Sequence, residues 1–449
     1  MRYKKYPSYK ESGVEWLGDI PEHWENTRLK FLGDTYGGLS GKAGKDFNQE
    51  NNKDNKIFIP FTNIANNHYI QNNNFGTVTI FSNELQNKIK KNDLFFLMSS
   101  EGYEDLGKSS LLKFEIKDGY LNSFCKGFRV KNNSINPKYL NYLLSGDTYR
   151  KLLYTQGNGF TRINLRLEKL QNLSLLIAPI IKEQKAIANY LDNATNKIDT
   201  LIIKQKRLIE LLKEKRQALI SKAVTRGLDD SVEMKESGVE WLGEIPEHWE
   251  MKKLKFIATI NDDTLSENTS NELMIKYIDI GSVITGYIKN YEEMSYSLAP
   301  SRARRIVKEG DIIVSTVRTY LKAIAPISNV YNNFIVSTGF AVIRSREKLN
   351  SNFSKYALIS KNFVDLVESH SVGISYPAIN SSDLIKLKIV VPPIKEQKAI
   401  ANYLDQKTTQ IDILISKATK AITLLQEKRT ALISAVVTGK IDVRGEYGE

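Results

Sequence analysis

The sequence repeats a long block, and this repeat constrains the fold more than any other feature of the chain. The segment KESGVEWLGDIPEHWE at residues 10–25 returns at residues 235–250 with one change, from Asp19 to Glu244. The two copies hold all four tryptophans of the chain, Trp16, Trp24, Trp241 and Trp249. Self-similarity on this scale indicates one structural plan that is built twice.

A second repeated block follows each copy of the first. The segment KEQKAIANYLD occurs unchanged at residues 182–192 and 395–405. The intervening regions, residues 26–181 and 251–394, show little resemblance to each other. This alternation is what we expect if both halves meet the same partner through the repeated blocks and different targets through the variable regions. Recent duplication with uneven drift is the alternative interpretation.

The second block begins a long helix in each half. Pro179 and Pro393 precede the helices and Gly227 and Gly439 follow them, which are the usual boundary residues. About 35 residues would give a helix of about 50 Å. Apolar residues recur seven apart in two registers, at Ile187, Ala194, Leu201 and Leu208, at Leu191, Ile198, Leu212 and Leu219, at Ile400, Leu414 and Ala421, and at Leu404, Ile411, Ala418, Leu425 and Leu432. Such heptads predict that the two helices pack on each other as a coiled coil.

The variable regions have the pattern of mixed α and β structure. Strand-length apolar runs occur at residues 56–61, 93–98, 311–316 and 340–345, each bounded by turn residues. Residues 137–146 begin with proline and continue at helical period. We therefore expect an α+β domain in each half. The predicted boundaries are domain 1 at 1–181, spacer helix 1 at 182–228, domain 2 at 229–394, spacer helix 2 at 395–440 and a tail at 441–449.

The composition favours a polyanionic partner. The chain carries 64 basic and 51 acidic side chains, a net charge of +13, and its 41% hydrophobic content is sufficient for folding. A single cysteine, Cys125, excludes an internal disulfide framework, and the four histidines form no zinc pattern. With no signal-type or membrane-type apolar stretch, we expect a cytoplasmic protein that binds nucleic acid.

No motif for catalysis stands out. The only Pro-Pro pair is followed by Ile394 where an amino-group methyltransferase would need an aromatic residue, and the segment at residues 37–43 lacks phosphate-loop spacing. Asp105, Glu115 and Lys117 form a short carboxylate and amine pattern that many magnesium-dependent nucleases share. The second half has no counterpart, so charged loop residues are the simpler interpretation. We predict a chain without catalytic residues or a metal site of its own.

Polar and basic loop residues beside strands are the candidates for DNA contact, because such side chains reach base edges and phosphates. The loop after residues 93–98 and the loop after residues 311–316 are one pair. The loops at residues 156–165 and 370–379 are the other, and residues 301–305 form a basic cluster suited to phosphate. The candidates are Ser100, Tyr103, Lys108, Asn158, Thr161, Arg162, Arg302, Arg304, Arg305, Arg318, Tyr320, Ser375 and Tyr376.

The repeated blocks resemble a known family. Trp-Leu-Gly-x-Ile-Pro-x-His-Trp at residues 16–24 and 241–249, followed by Glu-Gln-Lys-Ala-Ile at residues 183–187 and 396–400, is similar to the specificity subunit of type I restriction-modification systems. The resemblance covers nearly the whole chain. It implies two target recognition domains, separated by two long antiparallel coiled-coil helices and related by a pseudo-twofold internal repeat, that read a bipartite asymmetric DNA site.

The same resemblance implies the partners. Two modification subunits would bind the helices and methylate adenine with S-adenosylmethionine, and two restriction subunits would use ATP and magnesium to translocate and cut DNA; none of these cofactors is expected on this chain. The repeated block supplies the candidate partner-binding residues Glu183, Gln184, Tyr190, Glu396, Gln397 and Tyr403. A self-sufficient nuclease and a coiled-coil adaptor that reads no sequence remain the alternatives.

Overall fold

The computed structural model describes residues 4–13, 17–50, 52–131, 133–239 and 242–445. Trp16 and Trp241 of the repeated motif lie outside the described residues. The chain forms two compact units, residues 1–205 with 420–449 and residues 206–419. The sequence boundaries treated each long helix as a separate segment, whereas the structure divides both helices between the two units.

The first variable domain is an α+β domain built from short strands and five helices. Its strands are β1 (Tyr9–Glu11), β2 (Asp19–Pro21), β3 (Glu25–Arg28), β4 (Gly33–Gly37), β5 (Asn55–Ile59), β6 (Gly76–Thr79), β7 (Leu94–Leu97), β8 (Ser99–Ser100), β9 (Ser109–Leu111), β10 (Tyr120–Leu121), β11 (Cys125–Val130), β12 (Ile163–Asn164) and β13 (Ser174–Ile177). Its helices are α1 (Leu29–Leu32), α2 (Phe61–Asn66), α3 (Pro137–Ser145), α4 (Asp147–Thr155) and α5 (Leu167–Gln171). The long helix α6 (Ile181–Arg226) follows.

The second variable domain has the same kind of organisation. Its strands are β14 (Met234–Glu236), β15 (Glu244–Pro246), β16 (Glu250–Lys253), β17 (Ala258–Ile260), β18 (Met274–Ile278), β19 (Val283–Ile284), β20 (Tyr287–Ile288), β21 (Glu292–Ser295), β22 (Ala303–Ile306), β23 (Ile312–Ser315), β24 (Ile324–Pro326), β25 (Ile335–Ser337), β26 (Phe340–Ser345) and β27 (Lys388–Val391). Its helices are α7 (Ser351–Ile359), α8 (Lys361–Ser369) and α9 (Ser381–Leu384), and the long helix α10 (Ile394–Val437) follows.

The two variable domains share a sheet topology despite their dissimilar sequences. The main sheet has the order β4-β11-β7-β9 in the first domain and β17-β26-β23-β24 in the second, and every pair in both sheets is antiparallel. A further sheet in each domain contains one parallel pair, β10 with β5 and β25 with β18. The strands and the helix predicted from the apolar runs are confirmed, and the internal repeat extends through the variable regions at the level of the fold.

A buried carboxylate holds the same corner of the main sheet in both domains. Asp93 accepts two hydrogen bonds from Arg129, at 2.9 and 2.7 Å, and Asp311 accepts two from Arg344, both at 2.8 Å. Each aspartate is 1% exposed, so its charge is stabilised by the paired guanidinium instead of by water. The pairing fixes the start of β7 and β23, the strands that lead into the candidate DNA-binding loops.

The long helices are longer than the sequence estimate, with 46 residues in α6 and 44 in α10. In the first unit the N-terminal half of α6 pairs with the C-terminal half of α10, where Arg429 contacts Asp199 at 2.9 Å. In the second unit the halves are exchanged, and Arg216 contacts Asp412 at 3.0 Å. The pairing is therefore antiparallel, as predicted.

Only one of the two predicted heptad registers forms the buried seam. Leu191, Ile198 and Leu212 are buried on α6, and Leu404, Ile411, Ala418 and Leu432 are buried on α10. Leu201, Leu208 and Leu414 of the other register are exposed, which corrects the expectation that both registers face the partner helix. A 3.6-residue turn cannot keep two heptad positions equally buried along a straight helix.

Each long helix ends at a glycine that lies against a tryptophan. Gly439 follows α10 with a φ of +73° in the first unit, and Gly227 follows α6 with a φ of +80° in the second. A side chain at residue 439 would collide with Pro21 close to Trp24, and one at residue 227 would come within 3.2 Å of Trp249. Glycine is therefore required both for the left-handed turn and for the close approach.

Two further observations concern the chain as described. Cys125 is buried in the first domain, and burial raises the pKa of its thiol to about 12, so it stays protonated. Among the described residues there is no helix with both the length and the apolar character needed to cross a membrane.

Candidate nucleic-acid interface

In the first domain, two loops that are more than 50 residues apart in sequence come together beside the main sheet. Strand β8 pairs with β12, so that Ser100 lies opposite Ile163, and the amide of Leu165 donates to the carbonyl of Met98 at 2.8 Å. The candidates Ser100, Tyr103 and Lys108 thus belong to one surface with Asn158, Thr161 and Arg162. The loops predicted separately form a single cluster.

The second domain brings the corresponding loops together in the same way. Val317 forms a bridge with Ala378, and the amide of Ile379 donates to the carbonyl of Thr316 at 2.9 Å. The amide of Thr319 also donates to the carbonyl of Pro377 at 3.2 Å. The cluster contains the exposed candidates Arg318, Tyr320, Ser375 and Tyr376.

A small hairpin projects from each cluster. Asn158 and Asn164 exchange two backbone hydrogen bonds at 3.1 and 3.0 Å, and Val372 and Ala378 do so at 2.8 and 3.0 Å. The next residue is a glycine with positive φ in both hairpins, Gly159 at +139° and Gly373 at +118°. The two loops are therefore structural equivalents, although their sequences share little beyond this glycine.

Each cluster carries an arginine over an aromatic ring. The guanidinium of Arg162 lies 4.9 Å from the ring centre of Phe124, and that of Arg318 lies 5.3 Å from Tyr376. In the first domain the hairpin contributes the arginine, whereas in the second domain it contributes the aromatic residue. The sequence comparison left the equivalence of the hairpins in doubt because the second lacks an arginine, and the exchange of roles explains that difference.

Several candidates have partners within their own domain. Lys108 donates to Asp105 and to the carbonyl of Ala65, so its charge is partly used inside the fold. Arg318 adopts a left-handed conformation, with a φ of +52°, before a short 3₁₀ turn that contains Tyr320. Strain of this kind at an exposed cation is frequent at binding sites.

The basic cluster at residues 302–305 lies on β22 and is only partly free. Arg302 is exposed and donates to the hydroxyl of Tyr277 at 3.3 Å. Arg304 lies 5.4 Å from the ring centre of Tyr296. Arg305 is half-buried and donates to the side chain of Asn261, and burial lowers the pKa of its guanidinium. Arg302 is consequently the member of the cluster best placed for a phosphate, and Arg305 supports the fold.

The six predicted partner-binding residues occupy a joint between each domain and its long helix. Glu183 accepts hydrogen bonds from Tyr6, at 2.8 Å, and Trp24, at 3.0 Å, and it contacts His23 at 2.8 Å. In the second unit Glu396 accepts from Trp249 at 2.9 Å and contacts His248 at 2.7 Å. The tryptophan and the glutamate of the repeated blocks therefore bind each other.

Gln184 and Gln397 complete the joint. Both are fully buried. The amide of Gln184 donates to the carbonyl of Ala178 at 2.8 Å and accepts from the backbone of Asn136 at 2.7 Å. Gln397 bonds in the same way to Pro392 at 2.8 Å and to Asn350 at 2.7 Å. The assignment of Gln184, Gln397 and the buried Glu183 to a partner surface is corrected, because their polar atoms are used within the chain. Tyr190 and Tyr403 are half-buried against the two cores.

Sequence reasoning missed a different exposed surface on the long helices. Leu201 and Leu211 of α6 are exposed, and so are Leu414 and Leu424 of α10. Leu201 and Leu414 occupy equivalent positions of the repeat, as do Leu211 and Leu424. The heptad analysis had placed Leu201 and Leu414 in the seam, and only the choice of register could have shown that they face outward.

A polar cleft of about 670 Å³ lies beside the first cluster, within the first unit. Its lining includes His68, Tyr142 and Arg429. Burial, with a further contribution from Arg429, lowers the pKa of His68 to about 3, so the imidazole is neutral near neutral pH. The side chain of Asn141 lies within 3.2 Å of the His68 ring nitrogens, and its amide donates to the His68 carbonyl at 2.8 Å.

The nuclease pattern does not assemble into a metal centre. Asp105 is paired with Lys108, while Glu115 and Lys117 are exposed between β9 and β10. In the ranges that the structure describes, no group of three or more histidine, cysteine, aspartate or glutamate residues could hold a metal ion.

The fold and the paired loop clusters define a two-domain recognition protein, and comparison with known proteins gives the family. Residues 21–212 and 246–424 match the family model of the type I restriction modification DNA specificity domain, so the chain belongs to that family. Among curated relatives, the MjaVIII specificity subunit of Methanocaldococcus jannaschii is 25% identical over 99% of this chain and 98% of its own length. The EcoKI specificity subunit of Escherichia coli is 22% identical over 94% and 90%, respectively.

Solved structures show the same fold. The HsdS subunit from Thermoanaerobacter tengcongensis is similar with a TM-score of 0.54 and 15% identity, covering 94% of this chain and 98% of that one. A chain from a study of complex assembly and conformational transition in a type I R-M system is similar with a TM-score of 0.69 and 15% identity, covering 94% and 99%. These likenesses establish the α+β architecture with two recognition domains and two long antiparallel helices.

Proposed function

We propose that this chain reads a bipartite, asymmetric DNA site and directs adenine methylation and DNA cleavage by partner subunits. The observation that carries the proposal is the presence of two equivalent loop clusters with different side chains. Each cluster has the same backbone hydrogen bonds and an arginine on an aromatic ring, but the residues around them differ. Equivalent frames with different contact residues are suited to two different half-sites.

The basic and polar residues of the clusters fit the roles that a DNA reader needs. Arg162 and Arg318 are exposed, and an arginine can bond a guanine edge with two hydrogen bonds or pair with a phosphate. Arg302 is suited to a backbone phosphate, which would position the second domain without reading sequence. Ser100, Asn158, Thr161 and Ser375 supply shorter donors and acceptors.

The exposed leucines of the long helices support two partner subunits. Leu201 and Leu211 are separated by ten residues on one helix, and Leu414 and Leu424 have the same separation on the other. An exposed apolar stripe on a helix suits the apolar face of a partner helix. Because the stripe occurs once in each repeat, it offers two like surfaces to two modification subunits, and two restriction subunits would join that complex.

In this proposal the chain has no catalytic role, and S-adenosylmethionine, ATP and magnesium act on the partners. The absence of a motif for methyl transfer, together with the dispersed positions of Asp105, Glu115 and Lys117, supports this division of labour. The chain would contribute position and specificity only.

The test is methylation mapping in cells that carry this chain with its modification subunit. We expect a split motif that depends on this chain. Replacing residues 26–177 with the same region of a relative should change one half of the motif, and replacing residues 251–391 should change the other. Both exchanges leave the Trp24–Glu183 and Trp249–Glu396 joints intact. Loss of all motif preference in the native complex, with the modification subunit bound, would contradict the proposal.

A further inference from the structure

The tips of the two hairpins carry large apolar side chains that nothing in their own unit covers. Phe160 follows Gly159 and Ile374 follows Gly373, and both side chains are fully exposed. Burial of apolar surface is the main favourable contribution to folding, so these two side chains contribute little to the stability of the folded chain. Single exposed apolar residues are common on protein surfaces, and the position of these two is what distinguishes them.

Both side chains stand at the same point of the same structure. The paired backbone bonds between Asn158 and Asn164, and between Val372 and Ala378, close each hairpin below its tip. Each glycine faces the carbonyl oxygen three residues ahead, that of Arg162 in the first hairpin and that of Tyr376 in the second. The two domains have diverged in sequence, yet each retains a glycine followed by a large apolar residue here.

The hairpins are held from below. The backbone bonds of Leu165 to Met98 and of Ile379 to Thr316 attach each hairpin to the loop that leaves the main sheet. Leu165 and Ile379, at the base of each hairpin, are buried. The tip residue is therefore presented on a supported strand pair.

A cation lies beside each tip. Arg162 is two residues from Phe160, and Arg318 lies on the ring of Tyr376, two residues from Ile374. An apolar side chain flanked by an exposed guanidinium is the combination with which proteins open a base step while they hold the adjacent phosphate. Polar loops that read only base edges need no such apolar residue.

We propose that Phe160 and Ile374 insert between neighbouring base pairs of duplex DNA and locally unstack each half-site. This inference rests on the proposed function and extends it, because it adds shape and deformability to the readout by polar side chains. The phenyl ring of Phe160 can stack on the exposed base, whereas the aliphatic Ile374 only separates the step. Pyrimidine–purine steps unstack most readily, so the preferred sites contain such a step opposite each tip.

The test uses the complex of this chain with its modification subunit, bound to duplexes of the mapped motif. Each duplex carries 2-aminopurine at one position, and the position of the methylated adenine is left out. We expect fluorescence to rise at one step in each half-site. Phe160→Ala should abolish the rise in one half and Ile374→Ala in the other, each with roughly tenfold weaker binding and an unchanged methylation motif. Phe160→Trp should retain the signal.

Matched controls separate insertion from general surface changes. Leu85 in the first domain and Val330 in the second are also exposed apolar residues outside the hairpins, and Leu85→Ala and Val330→Ala should leave the fluorescence unchanged. A complex that methylates its motif but shows no fluorescence rise, or a rise that survives both hairpin variants, would overturn the insertion proposal alone. A complex without any motif would overturn the insertion proposal and the proposed function together.

Discussion

The joint between domain and helix is made by the same residues in both units but is buried to very different degrees. The side chain of Glu183 is 3% exposed and that of Glu396 is 42% exposed. In the first unit Tyr6 donates to Glu183, and Arg444 lies 4.6 Å from the Tyr6 ring centre, so both ends of the described chain cover the joint. In the second unit the residue at the position of Tyr6 is Ser231. A repeated hydrogen bond can therefore be kept while its surroundings, and its energetic weight, diverge.

The first way to test this comparison is to remove the glutamate from each joint. Glu183→Ala leaves the buried donors of Tyr6 and Trp24 without an acceptor, and we expect a loss of about 3 kcal/mol in the free energy of local opening. Glu396→Ala exposes its partners to water and should cost about 1 kcal/mol. Hydrogen exchange with mass spectrometry, followed on the peptides that contain Trp24 and Trp249, measures both.

The neighbouring lysines provide the control for these variants. Lys182 and Lys395 occupy equivalent exposed positions next to the glutamates, and their alanine variants should change protection by less than about 0.5 kcal/mol. Equal losses in Glu183→Ala and Glu396→Ala would show that burial does not set the strength of the joint.

The second test uses pH, because only the first unit has a histidine among the described residues with a strongly lowered pKa. His68 has a pKa of about 3 in the folded chain against 6.5 when unperturbed. The unfolded chain binds more protons between these values, so stability is fully present above about pH 6.5 and falls as the pH is lowered towards 3. At pH 5 we expect a loss of about 2 kcal/mol in the first unit.

The charges around His68 are those of Asp192, Arg429 and Lys113, and burial outweighs the opposing effect of Asp192. His68→Gln should remove most of the decline between pH 6.5 and pH 5 in hydrogen exchange of the first unit. His370→Gln, at an exposed histidine of the second unit, should leave the profile as it is. An unchanged pH dependence in His68→Gln would assign the decline to other groups.

The smallest effects are expected at the exposed leucines, where the two halves should behave alike. Leu201→Glu and Leu414→Glu each place a charge in an apolar contact with a modification subunit, and each should weaken that contact at least tenfold, or about 1.4 kcal/mol. Native mass spectrometry should show one modification subunit lost in each single variant and both lost in the double variant.

Lysines at another pair of equivalent positions serve as the control. Lys204 and Lys417 are exposed on the same helices, and Lys204→Glu and Lys417→Glu introduce the same charge outside the leucine stripe. Loss of a subunit in these variants as well would indicate a general effect of charge on assembly instead of a contact at the leucines.

Local sequence patterns were sufficient for the elements but not for the contacts between them. Residues 93–98 and 311–316 predicted strands because a short apolar run bounded by turns has few other solutions, and Gly227 and Gly439 marked the helix ends for equally local reasons. The partner of Glu183 could not be found in this way, because Trp24 is 159 residues away in sequence. Heptad spacing likewise gave two registers and no means of deciding which one is buried.

The candidate DNA-binding loops were found from their position after strands, whereas their grouping was not. The stacking of Arg162 on Phe124 joins two loops that no pattern connects, and Phe124 was not a candidate. The exchange of arginine and aromatic residue between the domains hid the equivalence of the hairpins, since sequence comparison aligns residue types and the fold conserves the pair.

The division of the long helices between the two units has a consequence for how the protein is made. The second unit is continuous, from residue 206 to residue 419, whereas the first unit needs residues 420–437 to cover the seam formed by Leu191 and Ile198. On the ribosome the first recognition domain emerges early but waits for the end of the message to gain its second helix. The half that is translated first is therefore the half that is completed last.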